Sequence, residues 1–410
     1  VRLRRAAAVT LAVAGGVETL RQTVELTAGS ATRPWLSSLH AVSHAPAVAV
    51  VPARDEADVI GDCVASLLAQ DPPLRAVIVV DDGSTDDTAT IARAAACRDD
   101  GCVDDRLVVV TTQELRPGWV GKPAACQAGA DAAAVRFPDV DAIVFVDADV
   151  TLQPAAVGAL LGAADSHGVD AVSLLGRFDG GDVGVRLLLP DVGVAIMTSE
   201  GNPRRVNDPR HPAAVASGQC LVVSRRAYDA IGGHASVAGE VLEDCAMAAR
   251  LQEAGYRHRL LLGSGLMHVR MYETTPELWN GFAKNLAGMR GTRRRDVAAE
   301  LWRRLAPIWL PIVAWALDRT GPGGALAARA LVGAFSARLI ARAVALADPH
   351  LAVLAPVSDA LHVGIYLDSV RRWRKGTVRW KGRLLPVQPG PSRARSRFVR
   401  AAPDPAVPAA

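Results

Sequence analysis

Three acidic pairs in this chain stand at the edges of apolar runs: Asp81 and Asp82 after "AVIVV", Asp147 and Asp149 after "AIVFV", and Glu243 and Asp244 at the head of "EDCAMAARLQEAGYR". Carboxylates crowded in this way repel one another and lose hydration, so each pair calls for a cation or a hydrogen-bond donor between its members. The Asp-Ala-Asp at 147–149 sets two oxygens on one face of an extended segment, as a hard ion such as Mg2+ or Mn2+ would use them. Such an ion brings phosphate oxygens with it. Acids in the first turn of a helix also complement its dipole, which is the plain reading of Glu243 and Asp244. The preceding "SGQCLVVSRRAYDAIGGH", in which Gly218 and Gln219 lead into a strand, favours a wall that faces a substrate. Ser84 to Asp87 reads as a capping box for the next helix, which makes Asp86 and Asp87 structural.

The elements that position these residues are legible in the pattern. From about residue 46 to about 263, short β-rich runs alternate with helical ones: "AVAVVP", "EADVIGDCVASLLAQ", "AVIVVD", "TDDTATIARAAA", "RLVVVTT", a helix near 123–134, and "AIVFVDAD". Such alternation predicts right-handed crossovers and a mainly parallel sheet with helices on both faces, an α/β domain whose ligands bind at the carboxyl ends of the strands. Val59, Ile60, Cys63, Val64, Leu67 and Leu68 fall at three- and four-residue steps and give one apolar stripe to lay on that sheet.

Half of the 410 residues are hydrophobic and only 4% aromatic, and 46 basic against 42 acidic residues leave a net charge of +4. The charge is unevenly spread: acids dominate "DDGSTDDT" and "CRDDGCVDD", bases dominate "RGTRRR" and "RRWRKG". Basic clusters beside late apolar runs point to a membrane face rather than to nucleic acid. The six cysteines show neither C-x-x-C nor zinc spacing and read as buried, reduced thiols. No G-x-G-x-x-G follows the first strand, where "PARDE" stands, and no phosphate-cradling Walker loop occurs, so a dinucleotide dehydrogenase is disfavoured.

Residues 1–45 are expected to hold a peripheral or truncated anchor and a linker, because "VRLRRAAAVTLAVAGGVETL" joins basic residues to an apolar run that Glu18 and Arg21 close off short of the ~20 residues of a spanning helix. A signal-like segment or an ordinary helix are the other readings. Residues 291–385 carry three apolar runs, 305–317, 323–347 and 351–370, between basic flanks. Basic flanks stay cytoplasmic, which predicts an even number of crossings, with 323–347 and 351–370 as a hairpin turning at Asp348-Pro349. Arg329, Arg338 and Arg342 must then face protein, water or headgroups. The alternative is a helical subdomain packed on the soluble domain. Residues 386–410, rich in Pro, Ala and Arg, are expected to be disordered.

Over residues 46–290 the sequence resembles the family 2 inverting glycosyltransferases, nucleotide-sugar enzymes of the GT-A fold. "VVPARDEADVIGDCVASLLAQ" is similar to their first strand and helix, "VIVVDDGSTDDT" to the nucleotide-binding turn, "GWVGKPAACQAGADAA" to the Gly-Lys segment, "FVDADV" to the D-x-D, and "LEDCAMAARLQEAGYR" to the catalytic element. Each pattern is short, but all five stand in family order. The resemblance implies that Pro52, Arg54 and Glu56 lie near the nucleotide, that one of Asp81 and Asp82 bonds its base or ribose, and that Lys122 and Arg270 approach the phosphates. It implies that Asp147 meets the ribose, donor sugar or metal, that Asp149 binds the metal, and that Asp244 is the general base with Glu243 in support. Gly218, Gln219 and Trp279 fall on the acceptor side, with Phe282 on the acceptor path or at headgroup level. The Q-x-x-R-W of processive synthases is missing; "SVRRW" at 369–373 is the nearest match. The closing stretch from "DPHLAVLAPVSD" at 348 to "VRWKGR" resembles bacterial transferases associated with hopanoid and carotenoid glycosylation.

The expectation is therefore an enzyme with a GT-A domain and C-terminal membrane helices, moving one sugar from a nucleotide-diphosphate donor to a lipid acceptor at the cytoplasmic face of the cell membrane, with Mg2+ or Mn2+. A polyprenyl-phosphate sugar synthase and a non-catalytic, membrane-tethered nucleotide-sugar-binding protein are the alternatives.

Overall fold

Apolar runs such as Ala47–Ala53 and Ala76–Asp81, buried along almost their whole length, need cover on both faces, and a central sheet between helices supplies it. The computed structural model describes residues 2–32, 35–37, 41–97, 104–112, 115–199, 201–208, 210–211 and 214–387. Helix α1 (Arg2–Ala31) leads into β1 (Ala47–Ala53), α2 (Ile60–Leu68), β2 (Ala76–Asp81), α3 (Thr88–Ala94), β3 (Leu107–Thr111), α4 (Gly121–Arg136) and β4 (Ala142–Val146). There follow β5 (Val150–Leu152), α5 (Ala156–His167), β6 (Ala171–Leu175), β7 (Arg177–Phe178), α6 (Val183–Met197), α7 (Pro203–Val206), β8 (Cys220–Ser224), α8 (Arg225–Ala230), α9 (Glu243–Glu253), β9 (His258–Leu262) and β10 (Met267–Val269).

Seven strands form the sheet in the order β3-β2-β1-β4-β8-β6-β9. All neighbours run parallel except β8, which is antiparallel to β4 and β6. The reversal matters for the site: the carboxyl ends of β1, β2, β4 and β6 and the amino end of β8 share one edge. The expected stripe on α2 is present, with Ile60, Cys63, Val64 and Leu67 buried in the core under the sheet. The expected capping box is not. Asp86 Oδ1 accepts the Thr88 N–H at 3.1 Å and Asp86 Oδ2 that of Ala57 at 3.1 Å, while Ser84 Oγ accepts from Asp55 N–H. Asp86 is structural, but it ties the β1 exit to α3. Of the thiols, Cys63, Cys126 and Cys220 are buried as expected, whereas Cys97 is exposed.

After β10 the chain adds α10 (Thr275–Arg290), α11 (Arg294–Leu305), α12 (Trp309–Leu317), α13 (Pro322–Val344), α14 (Ala355–Arg374) and a hairpin of β11 (Thr377–Trp380) and β12 (Arg383–Pro386). The segments 322–344 and 349–374 are long and apolar enough to cross a membrane. They do not lie side by side as the expected hairpin. Helix α14 packs on α10 and α11, and α13 packs on α1 and α12. The reason is polar: His362 on α14 meets Glu300 of α11 at 3.1 Å and Ser358 donates to Asp191 of α6 at 2.6 Å, contacts that draw α14 against the protein, while its Asp359 keeps one ion pair with Arg338 of α13. Arg342 is 1% exposed and donates to Asp191 at 3.0 Å and to the carbonyls of Leu187, Arg186 and Asp348. Arg338 and Arg342 thus face protein, one of the three environments expected for them.

Helix α1 is also longer than expected. Glu18 does not close it but turns inward, 5% exposed, onto Arg21 and Gln22. Ala8 and Ala12 form a small core with Ala314 and Ala327. The expected disordered tail lies, from residue 388 on, outside the described residues.

Candidate active site

The acidic residues converge because the strand exits do. Asp147 N–H donates to the Gln219 carbonyl at 3.0 Å and Arg270 N–H to that of Asp149 at 2.9 Å, so backbone bonds join the exits of β4 and β10 to the entry of β8. Pro52, Arg54, Glu56, Asp82, Lys122, Asp147, Asp149, Gly218, Gln219, Glu243, Asp244 and Arg270 all line one cavity of about 3260 Å³, its open mouth included.

Lys122, in the first turn of α4, sits between two carboxylates, 2.6 Å from Asp147 and 2.9 Å from Glu243. Burial alone would make the ammonium more acidic, but Asp147 and Glu243 outweigh it and hold Lys122 protonated. Burial pushes the Asp147 carboxyl up, with Lys122 opposing; at Glu243 the same ammonium prevails and the pKa falls below the usual range.

Asp244 is placed by backbone donors. Its Oδ2 accepts the Gly218 N–H at 2.9 Å and its Oδ1 the Cys245 N–H at 2.7 Å. Burial, followed by the neighbouring Glu243 charge, lifts its pKa to about 6, which leaves it ionised near neutral pH but basic enough to take a proton. The polarity of the crevice therefore acts through two backbone donors against a net upward shift. Gly218 has no spare room: a Cβ there would lie 3.0 Å from Lys122 Nζ and 3.1 Å from Asp244 Oδ2.

Asp149 is the unsatisfied member. Its Oδ1 is buried without a hydrogen-bond partner, and burial together with the charges of Asp147 and Glu56 lifts its pKa to about 7. A hard divalent cation fits this oxygen. Among the described residues no cluster of three or more His, Cys, Asp or Glu forms a metal cage, which suits an ion that takes one or two carboxylates and completes its shell with phosphate and water.

The structure separates Asp81 from Asp82. Asp81 Oδ1 accepts the Ser84 N–H at 3.0 Å and lies off the cavity, whereas Asp82 faces it. Trp279 is a correction. Its Nε1 donates to Asp368 at 3.0 Å and its ring packs over Gly364, so it joins α10 to α14 and does not line the cavity. Its neighbour Phe282, three residues on and thus near the same helix face, reaches the cavity wall instead. Arg270 lines the cavity with its guanidinium on Glu273 at 2.8 Å.

Sequence reasoning missed the C-terminal hairpin. Its Lys381 pairs with Glu56 and donates to the Arg54 carbonyl at 2.7 Å, and its Arg383 pairs with Asp82. Trp380 lies 4.1 Å from the Lys284 ammonium, a second missed group, whose pKa burial lowers to about 8. The signal was there to find. "TVRWKGRLLP" has a Lys-Gly turn between alternating apolar residues, and Lys381 and Gly382 both adopt positive φ as a tight two-residue hairpin turn requires. Its cations complement the acidic exits of β1 and β2, about 300 residues earlier.

Comparison with known proteins fits this geometry. Residues 48–232 match the family model described as glycosyl transferase family 2. Over 270 residues the chain is 29% identical to 4,4'-diaponeurosporenoate glycosyltransferase of Staphylococcus aureus (strain MRSA252), a match covering 63% of this chain and 66% of that protein, just short of two thirds of the relative's length. The same enzyme of strain USA300 is 28% identical over 270 residues. Among solved structures, a mannosyltransferase from Pyrobaculum calidifontis in complex with GDP-Man and Mn2+ aligns with 91% of this chain and 99% of its own at 19% identity, with a TM-score of 0.46. Glucosyl-3-phosphoglycerate synthase from Mycobacterium tuberculosis, with Mg2+ and UDP, aligns with 60% of this chain and 78% of its own at 20% identity and a TM-score of 0.37. The five motifs stand at the edge of one mixed sheet, and from β1 to just past α8, residues 48–232, the chain is similar to the glycosyl transferase family 2 model.

Proposed function

We propose that this protein transfers a single sugar from a nucleotide-diphosphate donor to the terminal hydroxyl or carboxyl group of a long isoprenoid-type lipid, with inversion at the anomeric carbon. The observation that carries the reading is Asp244, aimed by two backbone N–H groups into the cavity that also holds the open oxygen of Asp149. The acceptor oxygen forms its bond to the anomeric carbon from the face opposite the diphosphate, the bond to the diphosphate breaks and its electron pair leaves with the nucleotide, and the acceptor proton passes to Asp244. Glu243 keeps Asp244 basic and holds Lys122, whose charge offsets the growing negative charge in the crevice. Asp149, with Asp147 beside it, would hold Mg2+ or Mn2+, which when bound supplies Lewis-acid stabilisation of the departing diphosphate. Asp82, Arg54 and Glu56 would read the nucleotide, and Lys381 and Arg383 are cations within reach of its phosphates.

The acceptor class rests on the relative, whose name specifies an isoprenoid acid, and on an apolar exterior. Val13, Val17, Leu20 and Val24 on α1, Val313 and Trp315 on α12, and Val332 and Ile340 on α13 are all exposed. Apolar exposure on this scale, rimmed by Trp and Arg, suits a membrane surface. The basic flanks favour its cytoplasmic side.

The test is transfer from radiolabelled UDP- and GDP-sugars with Mn2+ or Mg2+, by membranes carrying wild type or Asp244→Asn, followed by organic extraction. Label in the organic phase with wild type alone supports the reading. Donor binding without lipid label from any donor would overturn the lipid acceptor.

A further inference from the structure

The active cavity adjoins a second pocket, whose empty space with its open mouth is about 810 Å³, and Leu175, Phe178, Gly193 and Met197 line both. This outer pocket lies between α1, α6 and α13, and among the described residues no charged side chain lines it. We propose that it holds the apolar tail of the acceptor, a single linear hydrocarbon or polyene chain threaded from the membrane face to Asp244. The inference rests on the reading above, which sets an amphiphile's polar end at that carboxylate.

Three observations carry it. The lining disfavours a nucleotide or a phosphate, which would find no charged partner there, and its mostly apolar surface suits a hydrocarbon chain. Small residues create the passage: a Cβ on Gly193 would stand 3.9 Å from Phe178 Cε2, so anything longer there narrows the junction between the two chambers. The outer end is at Val344, 43% exposed, beside Ile340 and Leu346 at 60% and 52%. The pocket therefore opens on the same apolar exterior that suits the bilayer, and a tail can reach it without crossing water.

Val194→Trp and Ala345→Trp fill the outer pocket alone, because neither residue lines the active cavity. The probe is cis-parinaric acid, a linear C18 tetraene acid, titrated into the full-length protein in detergent and read by energy transfer from tryptophan, with Trp35 in the lining as one donor. Saturable binding is expected to wild type and to Asp244→Asn, weakened about tenfold or more by each filling variant, as though about two methylenes were left outside. Retained binding of the nucleotide sugar certifies that the variants fold. In the transfer assay, KM should fall as the acceptor chain lengthens in wild type, and this dependence should flatten in the variants.

Parinaric acid binding that both variants leave unchanged overturns the tail pocket. So does lipid glycosylation with unaltered chain-length dependence, which would mark the pocket as a resting place for bilayer acyl chains and leave the transferase reading standing. Pocket binding that responds to the variants, with no lipid glycosylation from any donor, defeats the transferase reading and not the pocket.

Discussion

Asp244 can be perturbed by mutation, by pH and through its neighbour, and the structure assigns an outcome to each. Its carboxylate must be ionised to accept a proton, so activity should be lost as pH falls through its pKa of about 6. Between about pH 7 and about pH 5 the ionised fraction drops about tenfold, and log(kcat/KM) should follow with a slope approaching one. Asp244→Asn keeps an acceptor for the Gly218 or Cys245 N–H but removes the base, which should cost about 10²–10⁴ in rate. Glu243→Gln separates the two contributions to the shift. Burial raises the Asp244 pKa first and Glu243 adds to it, so removing the Glu243 charge should move the acid limb to lower pH while leaving a limb in place. The assay is initial-rate transfer at subsaturating donor and acceptor across the pH range, with a soluble short-chain acceptor to keep partitioning constant. A rate for Asp244→Asn within about threefold of wild type, or an acid limb that moves upward in Glu243→Gln, would refute the assignment.

Three further expectations are direct. Gly218→Ala would put a Cβ between Lys122 and Asp244, so kcat should fall about tenfold or more for a displaced base with the melting temperature little changed, as paired kinetics and thermal melts would read. Asp149→Asn should weaken Mn2+ binding, followed by electron paramagnetic resonance of free Mn2+, and chelation of wild type by EDTA should abolish transfer; full transfer in EDTA would remove the metal from the reading. Arg342→Met strips Asp191 and three carbonyls of a buried donor and should cost about 3–5 kcal/mol in denaturant unfolding, whereas the exposed Arg210→Met should leave the unfolding midpoint essentially unchanged.

Much of the site was legible because its parts are local. A strand exit, a D-x-D and an acidic first helical turn are each written within a few residues, and a mainly parallel sheet gathers strand exits whatever the loops do. That logic gathered the Asp81–Asp82 pair with Asp147 and Asp149 at one crevice and marked Glu243 and Asp244 as facing a substrate, while Lys122 came only from the resemblance; the structure places Asp82, Asp147, Asp149, Glu243, Asp244 and Lys122 in one cavity. Sequence reasoning could not choose between Asp81 and Asp82, because the choice depends on which of two adjacent side chains the turn at Ser84 captures. It misplaced Trp279, because several faces of α10 are apolar and only the packing of α14 decides which of them is covered.

Sequence alone determined the α/β order, the acidic edge, the apolar late helices and the resemblance that implied their chemistry, since periodicity and short motifs are properties of neighbouring residues. Only the tertiary structure decided what the late helices do. Arg342, costly in a bilayer, finds Asp191 on α6, and His362 and Ser358 carry α14 onto Glu300 and Asp191, so α13 and α14 pack mainly on different partners and meet through the buried Arg338–Asp359 pair. It likewise returned the hairpin at 377–386 to the acidic exits of β1 and β2, where Lys381 and Arg383 meet Glu56 and Asp82. Charge complementarity over about 300 residues leaves no periodic trace, because the attraction acts through space and not along the chain.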